Sequence, residues 1–162
     1  MPATMMQECL HGVLLEVHNQ FPPSDEEWER LLALVSASLE KAASCLVFSR
    51  GPGPSATQRK RLAAMLTGRK YPTAVLTDSI VARGAVTALS WVGHSIRAFA
   101  TNDVLRAMDM LPVSVAHRRD VLVRLVQMMH ELEGKEAPAK LVDFDLPALA
   151  RFVSDRSLGV RS

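Results

Sequence analysis

The sequence predicts a single α/β domain built on a small mixed sheet whose strands are mostly parallel, with helices packed on it. Short apolar runs of strand length alternate along the chain with longer segments of helical periodicity. Parallel neighbouring strands need a crossover connection, so single helices between successive strands indicate parallel pairing. The chain has 162 residues, of which 48% are apolar and 22% charged, as is typical of one globular domain. We assign the domain to residues 1–137 and a C-terminal helical extension and tail to residues 138–162.

Two apolar runs open the chain and predict a pair of strands. They cover Met5–Leu10 and Gly12–His18, and the short link between them predicts an antiparallel hairpin. Two prolines then end the pattern, and Ser24 with Glu27 forms a capping box at the start of the first helix. One apolar stripe at helical spacing follows, which comprises Trp28, Leu31, Leu32, Val35 and Leu39.

The remaining elements are predicted from the same apolar runs, caps and breaks. Strands are predicted at Cys45–Phe48, Thr73–Thr77 and Ser95–Ala100. Helices are predicted from Ser55 to Thr67, over Ile80–Trp91, from a cap at 101–103 to Leu111, and over Ser114–Glu133. Gly84 lies inside the helix predicted at Ile80–Trp91 and indicates a close-packing contact. The segment Asp143–Val153 has helical apolar spacing, and we expect it to dock on the domain itself, with presentation to a partner as the alternative.

The stretch from Cys45 to Leu66 carries the first candidate binding site. An apolar strand stops at a Gly-Pro-Gly-Pro loop, and Ser55 with Gln58 forms a capping box for the next helix. Between residues 41 and 77 the chain has seven Lys or Arg and no Asp or Glu. A positive surface of this kind favours an acidic protein face, a nucleotide or an anionic lipid headgroup. The candidate binding residues here are Ser55, Thr57, Arg59, Lys60 and Arg61.

These candidates also have a purely structural interpretation. Ser55 is a favoured helix N-cap with or without a function, and a cluster of cations on a helix is often a solvated face. Asp78 and Ser79 end the following strand and complete the candidate binding residues. A receiver-type phosphoacceptor needs an acidic cluster after the first strand and a lysine after the last, and Asn19 and Thr101 stand at those positions. We therefore expect Asp78 and Ser79 to act as a helix cap.

The sequence carries no motif that indicates catalysis, and we expect no enzymatic activity, no cofactor and no metal. The loop at residues 51–54 lacks the pattern of nucleotide-binding loops, and its two prolines have no N–H to donate. The five histidines show no metal-ligand spacing. Cys9 and Cys45 form no metal or redox pair, and we expect both to be reduced, buried thiols.

Composition narrows the range of partners. The net charge is +2 and aromatic residues make up 5% of the chain, which argues against nucleic acid as a partner. No apolar run approaches the roughly 20 residues that span a bilayer, and no basic and apolar leader opens the chain, so we expect a cytoplasmic protein without a membrane span. Met128 and Met129 on the last helix suit an adaptable surface, which makes that helix a candidate homodimer face.

The order of elements from residue 5 to residue 133, with the strand–loop–helix around Ser55, resembles the STAS domain, the fold of anti-sigma-factor antagonists, and its SEC14-like relatives. In STAS antagonists the helix after the third strand begins with a Ser or Thr that a partner kinase phosphorylates. Ser55 matches that position, with Thr57 as its neighbour. The chain has Gly-Pro-Gly-Pro-Ser where the family shows an Asp-Ser-x-Gly-like motif, and its own Asp78-Ser79 pair comes one strand later. The resemblance implies a regulatory module of bacterial-type signalling that binds a kinase or anti-sigma-type protein and lacks chemistry of its own.

Overall fold

The computed structural model describes residues 3–91 and 93–133. Within them the chain forms a five-stranded sheet and five helices. The strands are β1 (Met5–Leu10), β2 (Val13–His18), β3 (Ser44–Ser49), β4 (Thr73–Leu76) and β5 (Ile96–Phe99). The helices are α1 (Asp25–Ser38), α2 (Ala56–Leu66), α3 (Ile80–Trp91), α4 (Val104–Met110) and α5 (Val115–Glu133). The predicted α/β fold class with a mixed, mostly parallel sheet is confirmed.

The strands lie in the sheet in chain order, from β1 to β5. β1 and β2 are antiparallel, with Leu10 opposite Val13, and β2 to β5 are parallel. The hairpin between β1 and β2 turns in two residues, His11 at φ 50° and Gly12 at φ 76°. Two successive positive φ angles are typical of the turn whose twist matches that of antiparallel strands, so the predicted opening pair is confirmed.

Helices cover both faces of the sheet. The helices α1, α2 and α3 connect successive parallel strands, β2 to β5, which lie in chain order. Crossover connections of this kind are right-handed, so the three helices lie on one face of the sheet, called here the α1–α3 face. The helices α4 and α5 come after the last strand and pack on the opposite face. Side chains alternate between the two faces along each strand. In β2, for example, Leu15 packs in the cluster with α5 and Leu14 in the cluster with α1.

The core beneath α4 and α5 is a continuous cluster of buried side chains that includes Phe48, Met108 and Leu125. Met128 and Met129 belong to it and are 0% and 1% exposed. They follow Leu125 by three and four residues and so share its side of α5, which packs on the sheet. The expectation that these methionines form an adaptable dimer surface is therefore wrong.

The α1–α3 face is filled less evenly. α1 buries Trp28, Leu31 and Val35, whereas the buried residue of α2 is the polar Gln58. The apolar side chains that α2 turns toward the sheet are only half-buried, and they are Leu62, Met65 and Leu66. As a result α2 passes over the central strands without filling the space beneath it.

Glu27 ties the start of α1 to the segment that precedes β1. The predicted capping box is present: Ser24 Oγ accepts from the Glu27 backbone N–H at 3.2 Å, and the Ser24 N–H donates to Glu27 Oε2 at 2.9 Å. The carboxylate also accepts from the backbone N–H and the hydroxyl of Thr4, at 2.7 and 2.6 Å. Burial alone would raise the pKa of Glu27, but the hydrogen bonds from Thr4 and Ser24 outweigh it and lower that pKa to about 2.

Glu27→Gln is expected to destabilise the fold at neutral pH and to flatten its acid dependence. The folded-state pKa of about 2 lies below the ordinary 4.5, so the ionised carboxylate stabilises the fold above that ordinary value, and this contribution is lost as the pH falls toward 2. We expect a loss of about 1 to 2 kcal/mol at neutral pH, less than the full pKa shift corresponds to, because the glutamine oxygen can still accept hydrogen bonds from Thr4 and Ser24. Urea unfolding across this pH range measures it, and parallel pH profiles for the two proteins would contradict the expectation.

Two expectations about side-chain environment are wrong. Cys9 is exposed, because β1 is the edge strand and α1 covers only its start, where Met5 is buried. A Cβ on Gly84 would meet no described atom within 4 Å, so this glycine makes no close-packing contact and lies on the solvent side of α3. The predicted extension at 138–162, with Asp143–Val153, falls outside the described residues. None of the helices that the structure describes is long and apolar enough to cross a bilayer.

Candidate functional site

Two loops leave the sheet side by side and lead into α2 and α3. Because β3 and β4 are parallel neighbours, the loops that follow them, residues 50–55 and 77–79, lie at the same edge, called here the carboxyl edge. The seven candidate residues predicted from the sequence lie in these loops or in the first two turns of α2. In the first loop Arg50 forms an ion pair with Glu133 at the end of α5, at 3.1 Å. The candidates predicted from the sequence therefore lie at the carboxyl edge or in the adjoining turns of α2.

Ser55 begins α2 as predicted and remains exposed. Its Oγ accepts from the Gln58 backbone N–H at 3.2 Å, and Gln58 Oε1 accepts from the Ser55 N–H at 2.8 Å. The Gln58 amide also donates to the Pro23 carbonyl at 3.2 Å and to Asp25 at 2.9 Å, which fixes the start of α2 against the start of α1. Thr57, in the first turn, is exposed as well. Ser55 thus combines a capping role with a hydroxyl at the surface.

The cations of α2 are partly neutralised by other groups of the fold. Arg61 forms a two-pronged ion pair with Glu29 of α1, in which Nη2 lies 2.8 Å from Oε2. Arg59 is half-buried and donates to the backbone carbonyl of residue 54 at 2.6 Å. Lys60 is exposed. The positive surface at the start of α2 is therefore narrower than the sequence indicates, with Lys60 as its exposed centre.

Asp78 and Ser79 both have structural partners. Asp78 accepts from the backbone N–H and the hydroxyl of Thr101, at 3.2 and 2.5 Å, and lies 3.7 Å from the Arg83 guanidinium. Ser79 Oγ accepts from the Ala82 N–H at 3.2 Å, which caps the start of α3. The expectation of a helix cap is right for Ser79 and wrong for Asp78, whose carboxylate instead joins the loop after β4 to the loop after β5.

α3 exposes an apolar surface that was not predicted from the sequence. Ile80 is 86% exposed, Val81 64% and Trp91 82%, and Gly84 and Ala88 on the same side are exposed too. Residues 81, 84, 88 and 91 follow the spacing of one helical stripe. An exposed patch of large apolar side chains is typical of an interaction site. These five residues are called here the α3 face.

A pocket with a volume of about 110 Å³ lies between α2, α3 and the sheet. Its walls are mostly apolar and come from the underpacked side of α2 and the inner side of α3. The residues that define it best are Leu62, Ala63 and Leu66 of α2, Val86 and Leu89 of α3, and Val47 and Val75 of the sheet. The pocket exists because the apolar side chains of α2 stop short of the central strands.

Polar side chains from β2 and β3 also line this pocket. Glu16 and His18 stand two residues apart on β2 and so face the same side. His18 Nε2 lies 3.3 Å from Glu16 Oε2, and the thiol of Cys45 lies 3.6 Å from Glu16 Oε1. Burial, assisted by Glu16, raises the pKa of Cys45, so this thiol stays neutral and unreactive, as expected from its apolar strand. His18 Nδ1 is buried and has no hydrogen-bond partner among the described residues.

The described residues of the site form surfaces that suit binding, and they do not form a cluster of metal ligands. Among residues 3–91 and 93–133, no group of three His, Cys, Asp or Glu side chains could hold a metal ion. No protein-family model, curated protein or solved structure matches the chain. The resemblance to the STAS domain therefore stays a prediction from the order of elements.

Proposed function

We propose that the chain is a non-enzymatic, regulatory protein-interaction module that docks a partner protein on the start of α2 and the α3 face. The observation that carries the proposal is the exposure of Val81 and Trp91, at 64% and 82%, on a helix whose opposite side buries Ala82 and Val86. Apolar surface in water is unfavourable by roughly 25 cal/mol per Å². A partner that covers the α3 face removes that surface from water, which favours association.

The start of α2 is the polar part of the proposed docking surface. Lys60 is exposed there, so a partner with an apolar groove rimmed by Asp or Glu has the matching charge. Ser55 stands at a helix N-terminus, where a phosphate group is electrostatically favoured, and this supports its proposed modification by a partner kinase. The intact mass of the protein purified from its own host tests this modification, and an unmodified Ser55 under several growth conditions would contradict it.

We also propose a cytoplasmic location, since Cys9 and Cys45 are free thiols.

Val81→Glu combined with Trp91→Ser is expected to abolish partner binding and to leave the fold intact. Both side chains are largely exposed, and substitutions at exposed positions usually change stability by less than about 0.5 kcal/mol. The measurement is affinity purification from the protein's own host with quantitative mass spectrometry. The matched control is Arg119→Glu, an equally drastic change at an exposed position of α5 on the opposite face of the sheet. Lys60→Glu is expected to weaken the binding of the same partner proteins.

Retention of the same partners by the α3 double variant would contradict the proposal, as would equal loss with Arg119→Glu. The melting temperatures of all variants are compared first, so that loss of binding is not confused with unfolding. Recovery of the chain itself as the partner would make the α3 face a homodimer interface, and sedimentation of the wild type against the double variant would show it.

A second candidate is the binding of a small anionic ligand, a nucleotide or a lipid headgroup, at the same junction. Its supporting observation is Arg59, which lies in the pocket wall beside the Gly-Pro loop. Pro52 and Pro54 have no N–H to donate to an anion, and Arg59 already donates to a backbone carbonyl, which is why this candidate ranks second. A thermal-shift screen with nucleotides and anionic lipids tests it, because a saturating ligand raises the melting temperature. The absence of any shift would count against it.

A further inference from the structure

We propose that the pocket beneath α2 binds a small, uncharged, mainly apolar molecule whose single hydroxyl group hydrogen-bonds to His18 Nδ1. This proposal does not depend on the protein-docking function, because the pocket lies on the inner side of α2 and α3 and the α3 face lies on the outer side. Either proposal can fail without the other.

The first support is the loose fit of α2. An amphipathic helix on a sheet normally buries its apolar stripe, and interiors are close-packed. Here Leu62 and Leu66 are half-buried and line the pocket together with Val47 and Val75. The volume of about 110 Å³ is somewhat less than that of a cavity known to accept benzene, about 150 Å³. A ligand with one ring, or a short alkyl chain, fits with a small adjustment of α2.

The second support is His18, whose side chain is 4% exposed. An ionised carboxylate can only accept hydrogen bonds, so in the contact with Glu16 the hydrogen is assigned to Nε2. The other ring nitrogen, Nδ1, then needs a partner, and none of the described residues supplies one. A buried polar atom without a hydrogen bond is costly. Nδ1 is closed to a water molecule in this structure, so a ligand in the pocket that His18 lines supplies that bond once a small shift of the imidazole or of α2 opens it.

The chemistry of the site selects a neutral hydroxyl group. A hydroxyl can donate to Nδ1 of a neutral imidazole and can accept from Nδ1 of a protonated one, so it fits His18 in either state. The two oxygens of Glu16 face His18 and Cys45, and a carboxylate or phosphate on the ligand would be repelled by that buried acid. The apolar walls accommodate the rest of the molecule.

The experiment compares p-cresol with toluene, which has the same ring and methyl group but no hydroxyl. Binding to the full chain is followed by NMR titration, with the shifts mapped onto the pocket residues. We expect p-cresol to bind roughly three- to tenfold more tightly than toluene, the usual effect of one added hydrogen bond. His18→Leu is expected to remove this preference, so that p-cresol binds no more tightly than toluene.

Two substitutions in α2 locate the binding site. Ala63 lines the pocket and Ala64, the next residue, is exposed. Ala63→Phe is expected to fill the pocket and abolish p-cresol binding, whereas Ala64→Phe is the matched control and should leave it unchanged.

Several results would overturn the proposal. They are the absence of p-cresol binding to the wild type, equal affinity for p-cresol and toluene, or undiminished binding by Ala63→Phe. The proposal would also be overturned if a water molecule or residues 134–162 formed a hydrogen bond with His18 Nδ1 and the protein bound no p-cresol. Because the wild-type titration needs no variant, the proposal can fail even if His18→Leu does not fold.

Discussion

Trp28→Ala is expected to lower the free energy of unfolding by about 3 to 5 kcal/mol, the range for truncation of a buried aromatic side chain. Trp28 is 2% exposed and packs in the cluster that joins α1 to the sheet. Its indole N–H donates to the Gln58 carbonyl at 3.0 Å, and Gln58 is the buried residue of α2. The substitution therefore leaves a cavity and also removes the bond that holds the start of α2. Urea unfolding followed by circular dichroism measures the loss.

Trp28→Phe separates these two contributions. It keeps most of the ring volume and removes the donor, so the Gln58 carbonyl loses one of its partners, at a cost of about 0.5 to 1.5 kcal/mol, the usual value of one hydrogen bond. The matched control is Trp91→Ala, the same truncation at a tryptophan that is 82% exposed, which should change stability by less than about 0.5 kcal/mol. If Trp28→Ala cost no more than Trp91→Ala, the packing of α1 described above would be wrong.

Gly51→Ala is expected to destabilise the protein by about 1 to 3 kcal/mol, because there is no room for a methyl group. A Cβ at this position would lie 2.8 Å from the carbonyl oxygen of Asn19 and 3.0 Å from that of Gln20. Both are backbone atoms, so relief requires movement of the loop after β2 or of the loop that leads to Ser55. Thermal unfolding measures the loss.

Gly84→Ala is the matched control for Gly51→Ala, with the opposite expected sign. A Cβ there meets nothing within 4 Å among the described atoms, and alanine is better than glycine in a helix by about 1 kcal/mol. A Gly51→Ala variant as stable as Gly84→Ala would show that the two loops do not meet as described.

The elements and their starts could be predicted because they depend on neighbours in the sequence. The pairs Ser24–Glu27 and Ser55–Gln58 stand three residues apart, and both reciprocal capping boxes are present. Gly93 adopts φ 91° after α3, as expected for a glycine that ends a helix. Predicted strand ends differ from the observed ones by at most a residue, because a strand ends where its pairing with the neighbouring strand ends.

The exposure of α3 could not be predicted because it depends on distant strands. Its sequence is apolar on most sides, so periodicity alone does not say which side meets the sheet. The positions of β4 and β5 decide that Ala82 and Val86 are buried, while Val81 and Trp91 remain in solvent. The sequence did contain one indication of this exposed surface: α3 has more apolar residues than its one buried side can hold.

Contacts between residues distant in the sequence also explain the other differences between the predicted and the observed site. Arg61 was predicted as part of a basic face, and Glu29, 32 residues earlier, neutralises it. Glu16 and His18 lie on a strand that is buried along its whole length, and no local pattern shows that their polar groups lie under α2. These contacts arise only when α1 and α2 are placed beside each other on the sheet.

Site-specific photo-crosslinking in the protein's own host tests the docking surface most directly. A photoreactive p-benzoylphenylalanine replaces Ala88 on the α3 face or, as the control, Arg119 on α5; both positions are exposed. We expect irradiation to yield a discrete adduct with a partner protein from position 88 and none from position 119, and Val81→Glu to remove that adduct. The same adducts from both positions, or an adduct from position 119 alone, would contradict docking on the α3 face.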